Sequence, residues 1–454
     1  PRLQKDRQFD LIVGNPPFGT KVANGDEDQL DGAFLDDFVL GCGKQSIQSE
    51  QIILEKSVSW LKPGGRLGMV LPDGVLNNSG SQSNCPALRE WLFKSGRILS
   101  VISLPDFAFR RSGATNKTSI LIFEKFSDLE SARLGNQLEA CEGDIAVALK
   151  DSGLDYNIFF GEASHIGYTP SGRPDPRNDL YIADENGYLS DDQTGSILGE
   201  WNVWEENGAV SDPRCVAERA SSVWRSHPSH RVDPKYHVYM AHKGDYVPHG
   251  WSSAPMMDLV KRMRRNVDFG KEPMKEYKVL TLSQTGVARL REPGVGNNPP
   301  EWRGMYFYDS SSDWFEVRTS DIVYSGIDLW KGVVCFVTEE FDHALVTQEY
   351  PILRVKDPNV IDPEFLSILL RSRRFQKAFR AINTGHSNRR RTQSSDFGKV
   401  LVYYPPIEKQ KEIALKVRNA RENIAKAYIG VSDVENELDA ILHADDEWDE
   451  TTES

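Results

Sequence analysis

The chain has 454 residues, 39% of them hydrophobic, which is enough to bury sizeable cores in two to four domains. No apolar run approaches the roughly 18 residues that a membrane-spanning helix needs, and no charged-then-apolar leader opens the sequence. The five cysteines are scattered and form no C-x-x-C pair, which argues for reduced thiols and against a zinc site. We therefore expect a globular cytoplasmic protein without a bound metal.

The net charge of −13 is unevenly distributed along the chain. Residues 445–454 hold six acidic residues and no basic one, so they are predicted to form a disordered acidic tail. Residues 361–400 hold nine basic residues against three acidic ones. Because local charge decides where phosphate binds, the negative total does not exclude a nucleic-acid partner.

Apolar strands and helices alternate from Phe9 to Lys125, which predicts an α/β fold with a parallel sheet covered on both faces. Ligands of such sheets collect at the carboxyl ends of the strands, where Asn15, Pro72-Asp73 and Pro105 are expected to lie. The predicted elements in chain order are strand Phe9–Val13, helix Gln51–Leu61, strand Arg66–Leu71, a helix around Leu88–Phe93, and strands Ile98–Leu104 and Thr118–Phe123.

The stretch Asn15-Pro16-Pro17-Phe18 follows the first strand and points to methyl transfer onto a planar amine. The exocyclic amine of adenine is a poor nucleophile because its lone pair is delocalised into the ring. The side-chain oxygen of Asn15 and the carbonyl of Pro16 can each accept one N–H of that amine, which favours a pyramidal nitrogen with its lone pair aimed at the donor. The prolines fix the loop in advance, and Phe18 offers a face for a flipped base. These four residues are the predicted catalytic residues.

The alternative without a catalytic role is that Asn-Pro-Pro only forms a turn after a buried strand. The chain supplies its own comparison, because Asn297-Asn298-Pro299-Pro300 has similar letters without a preceding apolar strand or a following aromatic residue. We interpret the second copy as a loop. The first copy has the strand, Gly14, Phe18 and Gly19 in place, and this context favours the catalytic interpretation.

The remaining chain divides by composition. Residues 126–225 are loop-rich and polar and are predicted to complete the first domain, 1–225, and connect it onward; His227 and His230 are expected in a solvated loop. Short strands over 226–404 indicate an α+β domain. Its predicted strands are Lys278–Leu282, Asp321–Tyr324, Val333–Val337 and Ile352–Val355.

A basic segment in this second domain is the candidate nucleic-acid contact. A helix is predicted from the N-cap Asp362 to Ile382, with basic residues mostly off its apolar face, although a solvated helix side would look the same. The following loop is more telling, because arginine forks suit phosphates and guanine edges. The predicted DNA-binding residues are Arg371, Arg374, Lys377, Gly385, His386, Asn388, Arg389, Arg390 and Arg391.

Residues 405–444 are predicted to form one long helix after Pro405-Pro406. Apolar residues in it step by threes and fours, the pattern of a coiled coil, although Gly430 interrupts it. We expect this stripe to allow self-association. It consists of Ile413, Val417, Ala420, Ile424, Tyr428, Val431, Val434, Leu438 and Ile441.

With these motifs in order, the chain resembles the gamma-type adenine-N6 DNA methyltransferases, especially the modification subunits of type I restriction systems. Phe9–Gly19 resembles their catalytic motif, Glu55–Leu76 the strand and helix after it, and Leu104–Phe123 the later base-pocket segment. The second half is similar to one half of a type I specificity subunit. That similarity rests on Asp321-Ile322-Val323, Gly385–Arg391 and Pro405–Gln410.

The resemblance implies a partial Rossmann-like methyltransferase sheet, a target recognition domain and a C-terminal coiled-coil helix. It implies S-adenosylmethionine as cofactor, with Gly14 and Asn15 bordering it, and double-stranded DNA with a flipped adenine as partner. A restriction subunit and a place at the prokaryotic nucleoid are also implied.

The family's glycine-rich cofactor loop, however, precedes the catalytic motif, and nothing similar precedes Phe9. Glu292–Gly296 resembles the sequence of that loop, but it follows a charged stretch instead of a buried strand. Because position 1 is Pro and no such loop is present, we expect the main cofactor-binding segment to lie upstream in a longer chain or on another polypeptide.

Three other interpretations stay open. A protein-glutamine methyltransferase could use the same loop on an amide, but it would not need an arginine-rich recognition domain. The first domain could be an inactive scaffold attached to a DNA-binding specificity module. Asp268 with Glu276-Tyr277-Lys278 has a nuclease-like spacing, but no Pro precedes Asp268 and Lys278 opens an apolar strand.

Overall fold

A computed structural model describes most of the chain, and all structural statements refer to that part. It divides into two compact units, Pro1–Tyr246 with Lys377–Phe397, and Val247–Gln376 with Gly398–Ser454. The first division falls after residue 246, whereas the sequence placed it after residue 225. The described residues are 8–25, 34–80, 83–113, 117–244, 247–283, 286–310, 313–327, 329–384, 392 and 394–449.

Strands and helices are numbered in chain order. The strands are β1 Phe9–Gly14, β2 Lys21–Ala23, β3 Ser46–Gln48, β4 Leu61–Pro72, β5 Gly96–Ser103, β6 Thr118–Lys125, β7 Asn157–Glu162, β8 Ile166–Tyr168, β9 Pro174–Asn178, β10 Cys215–Arg219, β11 Ser252–Pro255, β12 Val260–Met263, β13 Leu280–Leu282, β14 Ala288–Leu290, β15 Trp314–Glu316, β16 Ile322–Tyr324, β17 Val334–Phe336, β18 Leu345–Thr347, β19 Ile352–Val355 and β20 Leu401–Tyr404. The α-helices are α1 Ser49–Trp60, α2 Asp73–Asn77, α3 Cys85–Ser95, α4 Asp128–Ala140, α5 Ile145–Asp151, α6 Ile197–Asn207, α7 Ala220–Ser226, α8 Pro234–His242, α9 Met256–Leu259, α10 Gly304–Tyr308, α11 Pro363–Leu370, α12 Arg373–Ile382, α13 Ser394–Lys399 and α14 Ile407–Asp449.

The first unit is built on a six-stranded sheet with the order β1-β4-β6-β5-β7-β10. The pairs β1–β4 and β5–β7 are parallel, whereas β4–β6, β5–β6 and β7–β10 are antiparallel. The α/β class is as predicted, but the sheet contains both parallel and antiparallel pairs instead of being parallel. The described part of the β5–β6 connection, residues 104–117, contains no α-helix, so β6 returns beside β5 in the opposite direction.

The two faces of this sheet are covered unequally. One face carries a continuous core that includes Leu67, Met69 and Leu71 of β4. On the other face, a separate cluster around Phe159 covers the β7 side only. At β1, Leu11 and Val13 are 63% and 77% exposed. Among the described residues no helix covers this part, so the expectation that both faces are covered fails at β1.

Residues 126–225 are far more ordered than the loop-rich segment that the sequence predicts. They supply β7 and β10 of the main sheet and the helices α4 to α7. Helix α4 begins at a capping box: Ser127 Oγ accepts from the Glu130 N–H at 3.3 Å, and the Glu130 carboxylate accepts from the Ser127 N–H at 2.9 Å. Phe159 and Phe160 of β7 are both fully buried, in cores on opposite faces.

Residues 377–397 belong to the first unit although much of the second precedes them in the chain. Buried Arg231 holds them there. Its guanidinium binds Asp233 through two contacts of 2.8 Å and donates to the carbonyl oxygens of residues 381–383 at 2.8–3.3 Å. Asp396 lies 3.5 Å from Arg231 and 3.1 Å from His227 Nε2.

The solvated loop predicted for His227 and His230 is thus wrong. His227 is buried, and its Nδ1 lies 2.8 Å from Ser229 Oγ. The His230 ring stacks on Trp224 with ring centroids 3.3 Å apart. Both imidazoles find polar or aromatic partners inside the unit, which removes the cost of burying them.

The second unit contains a four-stranded sheet of order β12-β19-β16-β17. Buried Asp321, just before β16, is neutralised by Arg265 at 2.6 Å and Arg354 at 2.8 Å. Asp362 caps α11 as predicted, its Oδ1 accepting from Phe365 N at 2.7 Å. The single helix predicted up to Ile382 is instead two helices, because the chain turns at residue 372 and Ser372 Oγ accepts from the first turn of α12.

Helix α14 has 43 residues and is about 64 Å long at 1.5 Å per residue. Its first turns pack on the second unit through buried Ala414 and Gln410, whose amide bonds residues 360, 362 and 405. Gly430 does not interrupt it. Beyond residue 421 every described side chain is exposed, including Ile424, Val434 and Leu438 at 55–64%.

Candidate active site

The Asn15-Pro16-Pro17-Phe18 loop lies at the carboxyl end of β1, where Gly14 pairs in register with Met69 of β4. Pro16 is buried, and the first residues of α1 hydrogen-bond to the loop. Ser49 Oγ donates to the Pro17 carbonyl at 3.2 Å, and Gly19 N–H donates to buried Glu50 at 3.3 Å. The conformation of the loop is therefore fixed by the protein before any substrate binds.

The two proposed acceptor oxygens are not used in hydrogen bonds within the described part of the protein. The side chain of Asn15 is exposed, and no described residue hydrogen-bonds to it or to the Pro16 carbonyl. Both oxygens thus keep their capacity to accept a hydrogen bond from a substrate amine.

Phe18 is half-buried and meets a second aromatic ring that the sequence did not single out. The ring of Phe109 lies edge-on to it, with centroids 6.4 Å apart. Phe109 lies on the loop after β5, so two strand ends contribute to one aromatic wall beside Asn15. The alternation Phe107-Ala108-Phe109 after a predicted strand was the available signal.

Next to these loops is a buried polar cluster, of which the sequence indicated only Asp73. Lys117 Nζ lies 3.8 Å from Asp73 Oδ2, and Ser119 donates to Asp73 Oδ1 at 2.7 Å. The Asp73 N–H also donates to the Lys117 carbonyl at 2.9 Å, which joins the ends of β4 and β6. Burial, with Lys235 nearby, lowers the pKa of Lys117 to about 7.

This pKa predicts a specific pH dependence of stability. Between about pH 7 and the ordinary lysine value of 10.5, Lys117 is neutral in the folded protein but protonated in the unfolded chain. The unfolded state then binds more protons, so the free energy of unfolding rises with pH. At about 1.4 kcal/mol per pH unit, the rise from pH 7 to 9 is about 2–3 kcal/mol.

The variant Lys117→Met should lose this rise. Urea denaturation of the wild type and the variant at pH 7, 8 and 9 measures the free energy of unfolding of each. The difference between the two proteins removes the contribution of all groups that titrate identically in both. Parallel stability–pH curves for wild type and variant would show that Lys117 keeps its charge on folding.

A polar cavity of about 220 Å³ lies next to the cluster. Its lining includes Pro72 beside Asp73, and Glu50, which holds Gly19. Lys21, Lys44 and Asn84 are among its other polar lining residues.

The predicted DNA-binding residues differ in their surroundings, although Arg374 and Lys377 lie three residues apart on α12. Arg371 is half-buried, and burial lowers its pKa; the guanidinium of Arg374 lies 4.7 Å above the ring of Tyr403. Both belong to the second unit, whereas exposed Lys377 belongs to the first. Gly385, His386, Asn388, Arg389, Arg390 and Arg391 lie outside the described residues.

The described residues contain no group of three or more His, Cys, Asp or Glu that could hold a metal ion. Asp268, of the nuclease-like spacing, is exposed and pairs with Lys271 at 3.2 Å. Glu292–Gly296, which has the letters of a cofactor loop, forms exposed turns after the short strand β14. No helix in the described ranges is long and apolar enough to cross a membrane.

Residues 1–135, which hold the loop and most of the strand ends around it, match the N-6 DNA Methylase family model. The chain is similar to the methylase subunit of the type I restriction enzyme EcoEI from Escherichia coli, with 29% identity over 120 residues, 26% of this chain and 22% of that subunit. The StySPI methylase subunit from Salmonella potsdam shares 25% identity over 224 residues, 48% of this chain and 36% of that subunit.

A solved structure, the HsdS subunit from Thermoanaerobacter tengcongensis, overlaps 45% of this chain and 50% of its own with 17% identity and a TM-score of 0.32. The matching regions thus span about a fifth to a third of the curated methylase subunits. The resemblance to type I modification subunits, expected from the Asn15 motif, is confirmed for the N-terminal part of the chain.

Proposed function

We propose that this chain is the substrate-facing part of a sequence-specific DNA methyltransferase, which transfers a methyl group from S-adenosylmethionine to the exocyclic amine of adenine. It would work in a restriction-modification or phage-defence system in the prokaryotic cytoplasm. The observation that carries the proposal is the pre-fixed loop with two unengaged acceptors, Asn15 and Pro16, in a segment that matches the N-6 DNA methylases.

The chemistry follows from these acceptors. Each takes one N–H of the adenine amine, which weakens conjugation with the ring and turns the lone pair out of its plane. Phe18, backed by Phe109, supplies an aromatic face on which an extruded base stacks. Bound S-adenosylmethionine would supply the electrophilic methyl group.

The described residues fit the acceptor side of this reaction but not a complete cofactor site. Gly14 and Asn15 would border the cofactor, but no glycine-rich loop after a buried strand accompanies them in the described ranges. Leu11 and Val13 leave an apolar patch open on the edge strand β1. Exposed apolar edge strands favour pairing and aggregation, so such an edge is normally covered. These features support a cofactor-binding part outside residues 1–454 that extends the sheet from β1.

We therefore expect the isolated 1–454 chain to bind S-adenosylmethionine more weakly than micromolar. Titration calorimetry against the chain alone and against the complete methyltransferase measures the difference. Micromolar binding by the isolated chain would refute a separate cofactor-binding part.

Residues 226–404 are proposed to locate the target, with Arg374, Lys377 and the arginines at 389–391 among the candidate contacts. One recognition domain with one long helix would recognise one half of a two-part target sequence. Two copies joined along exposed residues of α14, such as Ile424, Val434 and Leu438, would read a two-part sequence. A restriction subunit remains a further proposed partner.

The proposed pairing predicts a dimer in solution. Light scattering of the chain at micromolar concentration should give twice the mass of one chain. The double variant Val434→Asp with Leu438→Asp should give the mass of a single chain. A wild-type monomer under these conditions would exclude association through α14.

The alternatives make different predictions. A glutamine methyltransferase would modify an amide in a protein and ignore duplex DNA, and an inactive scaffold would bind DNA without methylating it. Methylation-sensitive sequencing of a host that expresses the complete protein tests the proposal. N6-methyladenine at one defined sequence is expected; its absence from the genome would overturn the proposal.

A further inference from the structure

A β-hairpin made of β8 and β9, residues 166–178, packs against the loop that carries Phe109. Tyr168 Oη donates to the Ala108 carbonyl at 2.5 Å, and the rings of Tyr168 and Phe107 lie edge-on with centroids 6.1 Å apart. Arg111 Nη1 lies 3.5 Å from the Gly172 carbonyl. The hairpin and the 105–111 loop therefore form one continuous surface, which reaches Phe18 through Phe109.

This hairpin is anchored at its base, so its position is defined. The Asp179 carboxylate accepts from the N–H groups of Ser164 and His165 at 2.7 and 2.8 Å. It also pairs with Arg214 at 2.8 Å. At the tip, Thr169 and Arg173 close the turn through backbone hydrogen bonds.

The exposed rim of this surface is basic. Arg110 and Arg173 are exposed, and within the described ranges neither pairs with a carboxylate. Arg177 is different, because Asp175 binds it through contacts of 3.0 and 2.7 Å and neutralises it. Arg110 directly follows Phe109 in the chain, one residue from the aromatic wall, and begins the short 3₁₀ turn Arg110–Ser112.

We infer that this hairpin surface, defined by Arg110, Arg111, Tyr168 and Arg173, contacts the phosphate backbone of duplex DNA next to the extruded base. The planar guanidinium group of arginine can donate two parallel hydrogen bonds to phosphate oxygens. Contacts to the DNA phosphates fix the position of a duplex on the protein without selecting its sequence. A base that leaves the stack also needs its flanking backbone held while it enters the pocket. The inference rests on the proposed function and adds a DNA contact on the methylase unit itself.

The double variant Arg110→Gln with Arg173→Gln tests this role. Each lost phosphate contact lowers the slope of log affinity against log salt by about 0.9. We expect the KM for target duplex to rise on the order of 10-fold to 100-fold at about 0.1 M salt, with kcat at saturating DNA within about twofold. The control, Lys150→Gln with Arg225→Gln, removes the same formal charge from helices α5 and α7, where Asp144 already pairs with Arg225 at 2.8 Å, and should leave both constants unchanged.

A second measurement separates this inference from the proposed function. Fluorescence anisotropy of a labelled 30-base-pair duplex, titrated with the 454-residue chain at several salt concentrations, needs no methyl transfer. A salt slope reduced by about 2 in the double variant and unchanged in the control supports the inference. Equal slopes in all three proteins overturn it, whether or not the complete enzyme methylates adenine. A wild-type enzyme that binds duplex with these slopes but never methylates it overturns only the proposed function.

Discussion

Replacing Asn15 by alanine should lower kcat for adenine methylation by about 10²–10³-fold while leaving the KM for DNA nearly unchanged. The substitution removes one of the two acceptors that hold the amine out of conjugation, and removal of a single preorganised transition-state contact has about this effect. Asn15 is exposed and no described residue depends on it, so the fold should be unaffected. The measurement is transfer of labelled methyl groups to target duplex by the complete methyltransferase.

The chain provides a matched control for this experiment. Asn298 precedes Pro299-Pro300 in a similar run of letters, but its side chain bonds the Glu292 carbonyl at 2.7 Å in an exposed turn. Asn298→Ala should therefore leave kcat at the wild-type value. Full activity of Asn15→Ala in an active parent enzyme would remove Asn15 from the catalytic residues and favour the inactive-scaffold alternative.

Replacing Arg231 by methionine should destabilise the first unit by about 3–5 kcal/mol, the usual cost of removing one partner from a buried ion pair. The variant leaves the carboxylates of Asp233 and Asp396 buried without their cation and the carbonyl oxygens of residues 381–383 without a donor. Because whole domains are stable by about 5–15 kcal/mol, this is a large fraction of the total. Urea denaturation measures the loss, and hydrogen exchange should locate it at residues 379–383 and 396.

Arg66→Met is the corresponding surface control. Arg66 pairs with Glu124 at 3.0 Å, but its side chain is 63% exposed, so less than about 1 kcal/mol should be lost. If the Arg231 variant loses no more than this control, Arg231 does not hold residues 377–397 in place.

Local sequence patterns predicted the elements around the active site well. Phe9–Val13 became β1, and Gln51–Leu61 became α1 at Ser49–Trp60, because apolar runs and helical periodicity record which face of an element is buried. The position of Asn15 at a strand end followed from β1 alone. Helix α4 carried a capping-box signal in Ser127 and Glu130 that the composition of residues 126–225 concealed.

Features that depend on distant parts of the chain were not predictable in this way. The direction of β6 depends on its pairing with both β4 and β5, and nothing inside Thr118–Lys125 encodes that choice. Asp396 meets Arg231 and His227 from more than 160 residues away. The meeting of Phe109 and Phe18 likewise needs two loops from different strand ends.

The return of residues 377–397 to the first unit has a consequence for biosynthesis. A ribosome that has released only the first 246 residues has made a polypeptide in which Arg231 and His227 still lack their later partners. The first unit can be completed only after Phe397 has emerged, when the intervening stretch Val247–Gln376 has already been synthesised. Fragments cut at a linear domain boundary would therefore carry unsatisfied buried charges, and expression trials should keep residues 1–397 on one chain.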